Sequence, residues 1–279
     1  MPKTVNFGTV PIGGGAPLAV IAGPCVIESP EIMRRTAETL VKVAEDLGLG
    51  LIFKSSFDKA NRSSLASFRG PGFEEGLRRL DNIKKEFAVP IISDIHETWQ
   101  VAPASEVLDA IQIPAFLARQ TDLLCAAADS GRPVNVKKGQ FMAPDDMALV
   151  AAKMESRPRF QGLTLCERGV SFGYHNLVVD MRSLVLMRDL GWPVVFDATH
   201  SVQLPSAKGG TSGGERRFIP ALARAAAAVG IDAIFIETHP RPDQALCDGP
   251  NQWPLDRLKN LLISVKTIHS LAGPNLIST

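Results

Sequence analysis

No charge of one sign dominates this sequence. Its 30 Lys and Arg are met by 29 Asp and Glu, a formal net charge of +1, so it has no global field of the kind that holds nucleic acid or an anionic membrane. Cysteine is scarce and scattered. Cys25, Cys125, Cys166 and Cys247 stand far apart with no CxxC spacing, which speaks against a zinc ribbon or a secreted disulfide framework and for a reducing cytoplasm. No apolar run approaches the ~20 residues of a membrane span, and the opening MPKTVNFGTV lacks a basic-then-apolar leader pattern. Neither nucleic acid nor membrane is expected as a partner. No GxGxxG follows the first apolar run, so an open dinucleotide-binding sheet lacks its usual mark.

What is present is a regular alternation. The 279 residues are close to the length of one (β/α)8 barrel, and 45% apolar with 21% charged residues is ordinary for a globular chain. Eight short apolar runs occur at 18–23, 51–57, 90–95, 110–115, 133–138, 163–168, 193–198 and 233–238. Most are continuously apolar, as strands covered on both faces should be. Between them lie amphipathic stretches such as 30–47, 73–87, 145–156, 218–229 and 255–271. In the first of these Met33, Ala37, Leu40, Val41, Ala44 and Leu47 recur at helical spacing. Strict βα alternation implies a parallel sheet with right-handed crossovers. Eight units predict an α/β protein, a (β/α)8 TIM barrel occupying one domain over 1–279. Residues 1–17 form a short N-terminal β-hairpin and joint, expected to plug the barrel's N-terminal end. The glycine-rich stretch 203–217, QLPSAKGGTSGGERR, is expected to be a long loop of the kind that serves as a mobile lid.

In such a barrel the C-terminal strand ends carry the chemistry, and here they carry polar side chains. Cys25 follows the first run; Lys54, Ser55 and Ser56 lie in the second; Asp94 and His96 close the third. Gln112 lies in the fourth, Lys137 and Lys138 end the fifth, Glu167 and Arg168 the sixth. Asp197 and His200 follow the seventh, Glu237 and His239 the eighth. Lys54, Lys59, Arg62, Lys137, Lys138 and Arg168 would face one mouth, and clustered cations call for multiply charged anions such as phosphates and carboxylates. Single residues keep bland readings. Lys54 could brace Asp94, Cys25 could be a small buried residue at a Gly-Pro turn, and His96 and His239 could be structural. Cys25, His200, Glu237 and Asp248 share no short spacing, yet neighbouring strands could bring them together as a soft–hard set suited to Fe²⁺, Zn²⁺ or Mn²⁺.

Beyond these features, the string FDKANRSS at 57–64 resembles the signature of 3-deoxy-D-manno-octulosonate 8-phosphate synthases, also called 2-dehydro-3-deoxyphosphooctonate aldolases. AGPCVIES (22–29), SDIHE (93–97), IQIPAFLARQTDLL (111–124), NVKKGQF (135–141), CERG with SFGY (166–174), NLVVDMR (176–182), FDATHSVQ (196–203), IETHP (236–240) and CDGP (247–250) extend the resemblance over nearly the whole chain in family order.

The resemblance implies a carbon–carbon bond-forming transferase, 3-deoxy-8-phosphooctulonate synthase. Phosphoenolpyruvate and D-arabinose 5-phosphate condense with water for lipopolysaccharide biosynthesis, in a cytoplasmic homo-oligomer, usually a homotetramer. Lys54, Lys59, Gln112, Lys137 and Arg168, with Ser56 beside them, would hold phosphoenolpyruvate. Asn61, Arg62 and Ser63 would bind the aldose phosphate, and Arg119 would reach that of a neighbouring subunit. Asp94, His200, Lys137 and Asn61 would be catalytic. Cys25 points to the metal-dependent type, with one divalent ion on Cys25, His200, Glu237 and Asp248, whereas the CDGP string resembles metal-independent members. Two other readings stay in view: the seven-carbon synthase using erythrose 4-phosphate, and a Schiff-base aldolase acting through Lys54 or Lys137.

Overall fold

A computed structural model describes residues 1–62, 64–208 and 211–272. Eight parallel strands form a closed ring: Ala19–Gly23, Gly50–Lys54, Ile91–Asp94, Ala110–Ile113, Val134–Lys137, Leu163–Glu167, Val194–Asp197 and Ala233–His239. Each pairs with the next, and the eighth pairs with both the seventh and the first. A helix follows every strand, the longest being Pro30–Leu47, Phe73–Phe87 and Leu258–Ala272. This is the expected (β/α)8 barrel.

The first helix begins where Ser29 accepts the backbone N–H of Ile32 and Pro30 occupies the first turn. It ends at Gly48 in the left-handed region. Its Met33, Ala37, Leu40 and Ala44 are buried, as their spacing requires. The shorter helices Val101–Val107, Thr121–Asp129 and Arg182–Asp189 span too few turns for their periodicity to stand out.

Two expected boundaries change. The second strand stops at Lys54 instead of running to Phe57. Phe57 is apolar because it packs beneath the following helix, edge-on to Phe73 at 5.1 Å. The stretch 203–217 is not an irregular loop: Gln203–Lys208 and Thr211–Gly214 pair as an antiparallel hairpin with a register shift. Glycine, poor in strands, hid this. Gly214 is needed there because a Cβ would collide with the side chain of Asn251. Gly209 and Gly210 lie outside the described residues.

The N-terminal hairpin pairs Val5–Phe7 with Val10–Ile12. Val10 packs at Gly50, Val5 at Gly162, Gly8 at Pro90 and Gly13 at Pro193. Those four positions begin strands two, six, three and seven, so the hairpin covers the barrel's N-terminal end. Phe7 and Ile12 are fully buried in the core. Phe7→Ala should therefore lower unfolding stability by about 3–5 kcal/mol, read by urea denaturation, while ligand binding at the opposite mouth stays unchanged in the folded fraction. A loss under about 1 kcal/mol would mean the hairpin does not pack as described.

Candidate active site at the C-terminal mouth

The opposite end of the barrel opens into a cavity of ≈ 410 Å³ lined by Lys54, Lys59, Asn61, Arg62, Asp94, His96, Lys137, Arg168, His200, Gln203, Glu237 and Asp248 among others. Residues spread from 54 to 248 meet there because each parallel strand delivers its last side chains to the same rim.

Below the rim runs a hydrogen-bonded row across four strands. Asp94, Gln112, Asn135 and Thr164 are register partners. Thr164 Oγ1 donates to Asn135 Oδ1 at 2.8 Å, Asn135 Nδ2 to Gln112 Oε1 at 2.8 Å, and Gln112 Nε2 to Asp94 Oδ1 at 2.6 Å. Ser56 Oγ donates to the other Asp94 oxygen. The row has one direction, so a flip of either amide alone would set acceptor against acceptor. Ser56 and Gln112 are fully buried and do not line the cavity; they act on it only through Asp94. Burial alone would raise the Asp94 carboxyl, but Lys54, Lys59 and Lys137 hold it well below the usual carboxylate range.

Lys54 Nζ lies 2.7 Å from Glu237 Oε1, 3.3 Å from the Cys25 carbonyl and 3.8 Å from Asp94. It therefore bridges two acids instead of bracing Asp94 alone. Lys137 Nζ meets Asp197 at 2.6 Å and sits 3.8 Å above the ring of Phe235, a favourable cation–π placement. Burial opposes the Lys137 charge, but Asp197 together with Glu237, Asp94 and other nearby groups outweighs it and raises the ammonium above its ordinary value. Arg168 is 3% exposed. One terminal nitrogen donates to Gln203 at 2.9 Å, while the other is buried with no hydrogen-bond partner. Burial pushes its guanidinium down from the ordinary value, yet arginine stays a cation.

Lys138 is a correction. It does not face the mouth. Consecutive strand residues point to opposite faces, and Lys138 is wholly buried outside the ring, 3.5 Å from Glu167. His239 also stands behind the site, its Nδ1 accepting the Arg241 N–H. Arg119 is exposed on another face, beside Met142 and Asp146. Ser63 lies outside the described residues.

The four expected metal ligands fall into two groups joined by Asp248. Donor atoms of His200, Glu237 and Asp248 lie within 4.8 Å of one another, as do those of Cys25, Cys247 and Asp248, and Asp248 belongs to both groups. His200 Nδ1 is 2.8 Å from Asp197 Oδ2. A donated Nδ1–H there leaves the Nε2 lone pair facing Glu237 Oε2 at 3.6 Å, and that carboxylate oxygen is buried without a hydrogen-bond partner. An unpartnered carboxylate oxygen, a bare imidazole nitrogen, a second acid and a thiol in one place fit a divalent ion. Burial raises the Cys25 thiol well above its ordinary value, so without an ion it stays protonated. The sequence places Asp197 among the polar strand-end residues without a specific role, and gives Cys247 no role in the site. Asp197 could have been found from its place three residues before His200, Cys247 from its adjacency to Asp248.

Residues 3–272 match the family model described as DAHP synthetase I family. The chain belongs to the DAHP synthetase I family. Proteins named 2-dehydro-3-deoxyphosphooctonate aldolase are similar along almost their full length. That of Syntrophotalea carbinolica is 55% identical over 275 residues, 99% of each chain. That of Magnetococcus marinus is 56% identical over 267 residues, 96% of this chain and 93% of its own. That of Geobacter metallireducens is 56% identical over 271 residues, 97% and 99% respectively. The motif-level resemblance is thus borne out.

His96 supplies a pH test. Burial lowers its pKa from the ordinary histidine value, so the folded state binds that proton less readily than the unfolded chain. Its contribution to stability is present above the unfolded value of about 6.5 and is lost as pH falls towards the folded value. The NMR titration midpoint of His96 should fall below about 6.5. A midpoint above it would contradict the burial argument.

Proposed function

We propose that this chain condenses phosphoenolpyruvate with D-arabinose 5-phosphate and water, giving 3-deoxy-D-manno-octulosonate 8-phosphate and inorganic phosphate for lipopolysaccharide synthesis. The observation that carries it is Arg168, a buried cation on the cavity wall with an unpartnered N–H group and, among the described residues, no carboxylate paired to it. A ligand carboxylate or phosphate supplies the missing acceptor. Lys137, Lys54 and Lys59 complete the phosphoenolpyruvate cradle. Asn61, Arg62 and Ser63 take the aldose phosphate, and Arg119 reaches that of a neighbouring subunit.

The reaction needs two anions held close against their repulsion. Fixed cations offset that repulsion, and positioning alone can contribute ~7–11 kcal/mol. The enol carbon forms a bond to the aldehyde carbon and the aldehyde oxygen takes up a proton. Water, losing a proton, adds to the adjacent carbon that bears the phosphate oxygen, and the C–O bond from that carbon to phosphate then breaks, leaving a keto group and inorganic phosphate. Asp94, ionised and fixed by Ser56 and Gln112, orients the sugar hydroxyls or the attacking water. Lys137 stays charged beside Asp197 and stabilises developing negative charge. Cys25, His200, Glu237 and Asp248 would hold one Fe²⁺, Zn²⁺ or Mn²⁺ ion, which when bound supplies a Lewis acid for the aldehyde or the water. The 203–214 hairpin carries Gln203 and Pro205 over the mouth and would shield it from bulk solvent.

A Schiff-base aldolase suits the geometry poorly, because a nucleophilic lysine must be neutral and Asp197 raises Lys137. The names of the relatives favour the five-carbon aldose over erythrose 4-phosphate. Four cysteines with no disulfide among them suit the cytoplasm. No helix among the described residues is long and apolar enough to cross a membrane. Phe116, Phe141, Phe172 and Tyr174 remain exposed, an apolar surface that the subunits of a homotetramer would cover.

Phosphate release from phosphoenolpyruvate should require arabinose 5-phosphate and be far slower with erythrose 4-phosphate. It should fall on chelation and return with Mn²⁺, Zn²⁺ or Fe²⁺. Arg168→Ala should cost about 2–5 kcal/mol, roughly thirtyfold or more in kcat/KM. Preference for erythrose 4-phosphate, or near-normal turnover without Arg168, would contradict the proposal.

A further inference from the structure

Cys247 is the one thiol in the site whose position the proposed reaction does not use. Its Sγ lies 2.8 Å from that of Cys25, and both side chains are buried, forming with Val26 a small cluster apart from the main core. Cys25 Sγ is 3.8 Å from Asp248 Oδ2. The sulfurs and the Asp248 carboxylate fall within one ligand-sized group, and Asp248 joins that group to His200 and Glu237.

The backbone holds the two thiols together without a disulfide. The side chain of Gln252, itself fully buried, clamps both segments. Its Oε1 accepts the Cys25 N–H at 3.4 Å and its Nε2 donates to the Cys247 carbonyl at 2.8 Å. The loop then turns back, with the N–H groups of Asn251 and Gln252 both directed at the Asp248 carbonyl. Asp248 has a positive φ of 46°, a conformation that costs a non-glycine residue energy and persists only where surrounding contacts over-determine it. The cost is met where the chain sets Cys247 and Asp248 side by side against Cys25. On the far side of the same space, the buried Glu237 Oε2 has no hydrogen-bond partner.

We propose that Cys247 is a metal ligand, contributing a second thiolate to the ion held by Cys25, His200, Glu237 and Asp248. This rests on the metal-dependent reading of the site. Two soft sulfurs beside one imidazole select a thiophilic ion, Zn²⁺ or Fe²⁺, and disfavour Mg²⁺ and Ca²⁺, which take oxygen ligands. Gln252 is the positioning residue that keeps the dithiolate face assembled. In this sphere Cys247 belongs to the ion and Lys54 and Lys59 remain with the carboxylates and the substrate.

The test is X-ray absorption at the zinc edge on the full-length chain, stripped of metal under reductant and reloaded with one equivalent of Zn²⁺. Two sulfur scatterers near ~2.3 Å are expected in the unmodified protein and one in Cys247→Ser. Co²⁺ loading provides a second readout, with thiolate-to-metal absorption falling to roughly half in the same variant, as the loss of one of two thiolates requires. The unmodified protein alone decides the matter if the variant does not fold. A single sulfur in the unmodified protein, with unchanged absorption in the variant, overturns the assignment of Cys247 and leaves the metal reading standing. No zinc retained at all overturns both.

Discussion

The Lys54–Glu237 ion pair is the contact on which the mouth of this barrel depends. Both side chains are 1% exposed, and their charged atoms are 2.7 Å apart. Removing two charges from water costs several kcal/mol per ion, and a buried pair adds little net stability. Its value here is arrangement. Lys54 ties strand two to strand eight and also reaches the Cys25 carbonyl and Asp94. With Glu237 Oε1 held by Lys54, only Oε2 is left to face His200. Removing either partner would strand the other charge in the core, at a cost of about 3–5 kcal/mol. One pair thus fixes both the cationic floor and the acid side of the ligand cluster.

Around it the same logic repeats. Asp197 takes Lys137 and His200 together and accepts the backbone N–H groups of Thr199 and His200 as well. Asp94 closes the four-strand row that starts at Thr164. Asp94 and Asp197 each accept several donors, and Glu237 faces Lys54 and Lys59, so burial does not neutralise these acids, and all three are held below the ordinary carboxylate range. Arg168 departs from this pattern, since its second terminal nitrogen has no protein acceptor. The site therefore balances most of its charge internally and leaves the Arg168 nitrogen and Glu237 Oε2 without protein partners.

Much of this was legible in the residues. The eight strands announce themselves as short continuous apolar runs, because helices cover their outer faces. The polar residues closing those runs announced the mouth. Strand ends were overestimated where buried loop residues such as Phe57 continue an apolar run. Lys138 was misread although the period-two rule, applied to Lys137, would have turned it outward. The hairpin at 203–214 was hidden by its glycines, of which Gly214 packs closely against Asn251. The ligand cluster had no spacing to reveal it; the closure of the barrel allowed Cys25 and Asp248 to meet, and the resemblance implied that they do. The clamp of Gln252 and the row from Thr164 to Asp94 depend on side-chain directions across strands far apart in sequence, which no local pattern encodes.

The central claim is that Arg168, Lys137 and Lys54 grip a multiply charged anion inside the barrel mouth. A crystal structure of the protein grown with phosphoenolpyruvate tests it most directly. The account predicts carboxylate or phosphate oxygens within hydrogen-bond distance of the Arg168 guanidinium and of both lysines. Phosphoenolpyruvate bound elsewhere, with those three side chains unchanged and untouched, would contradict it.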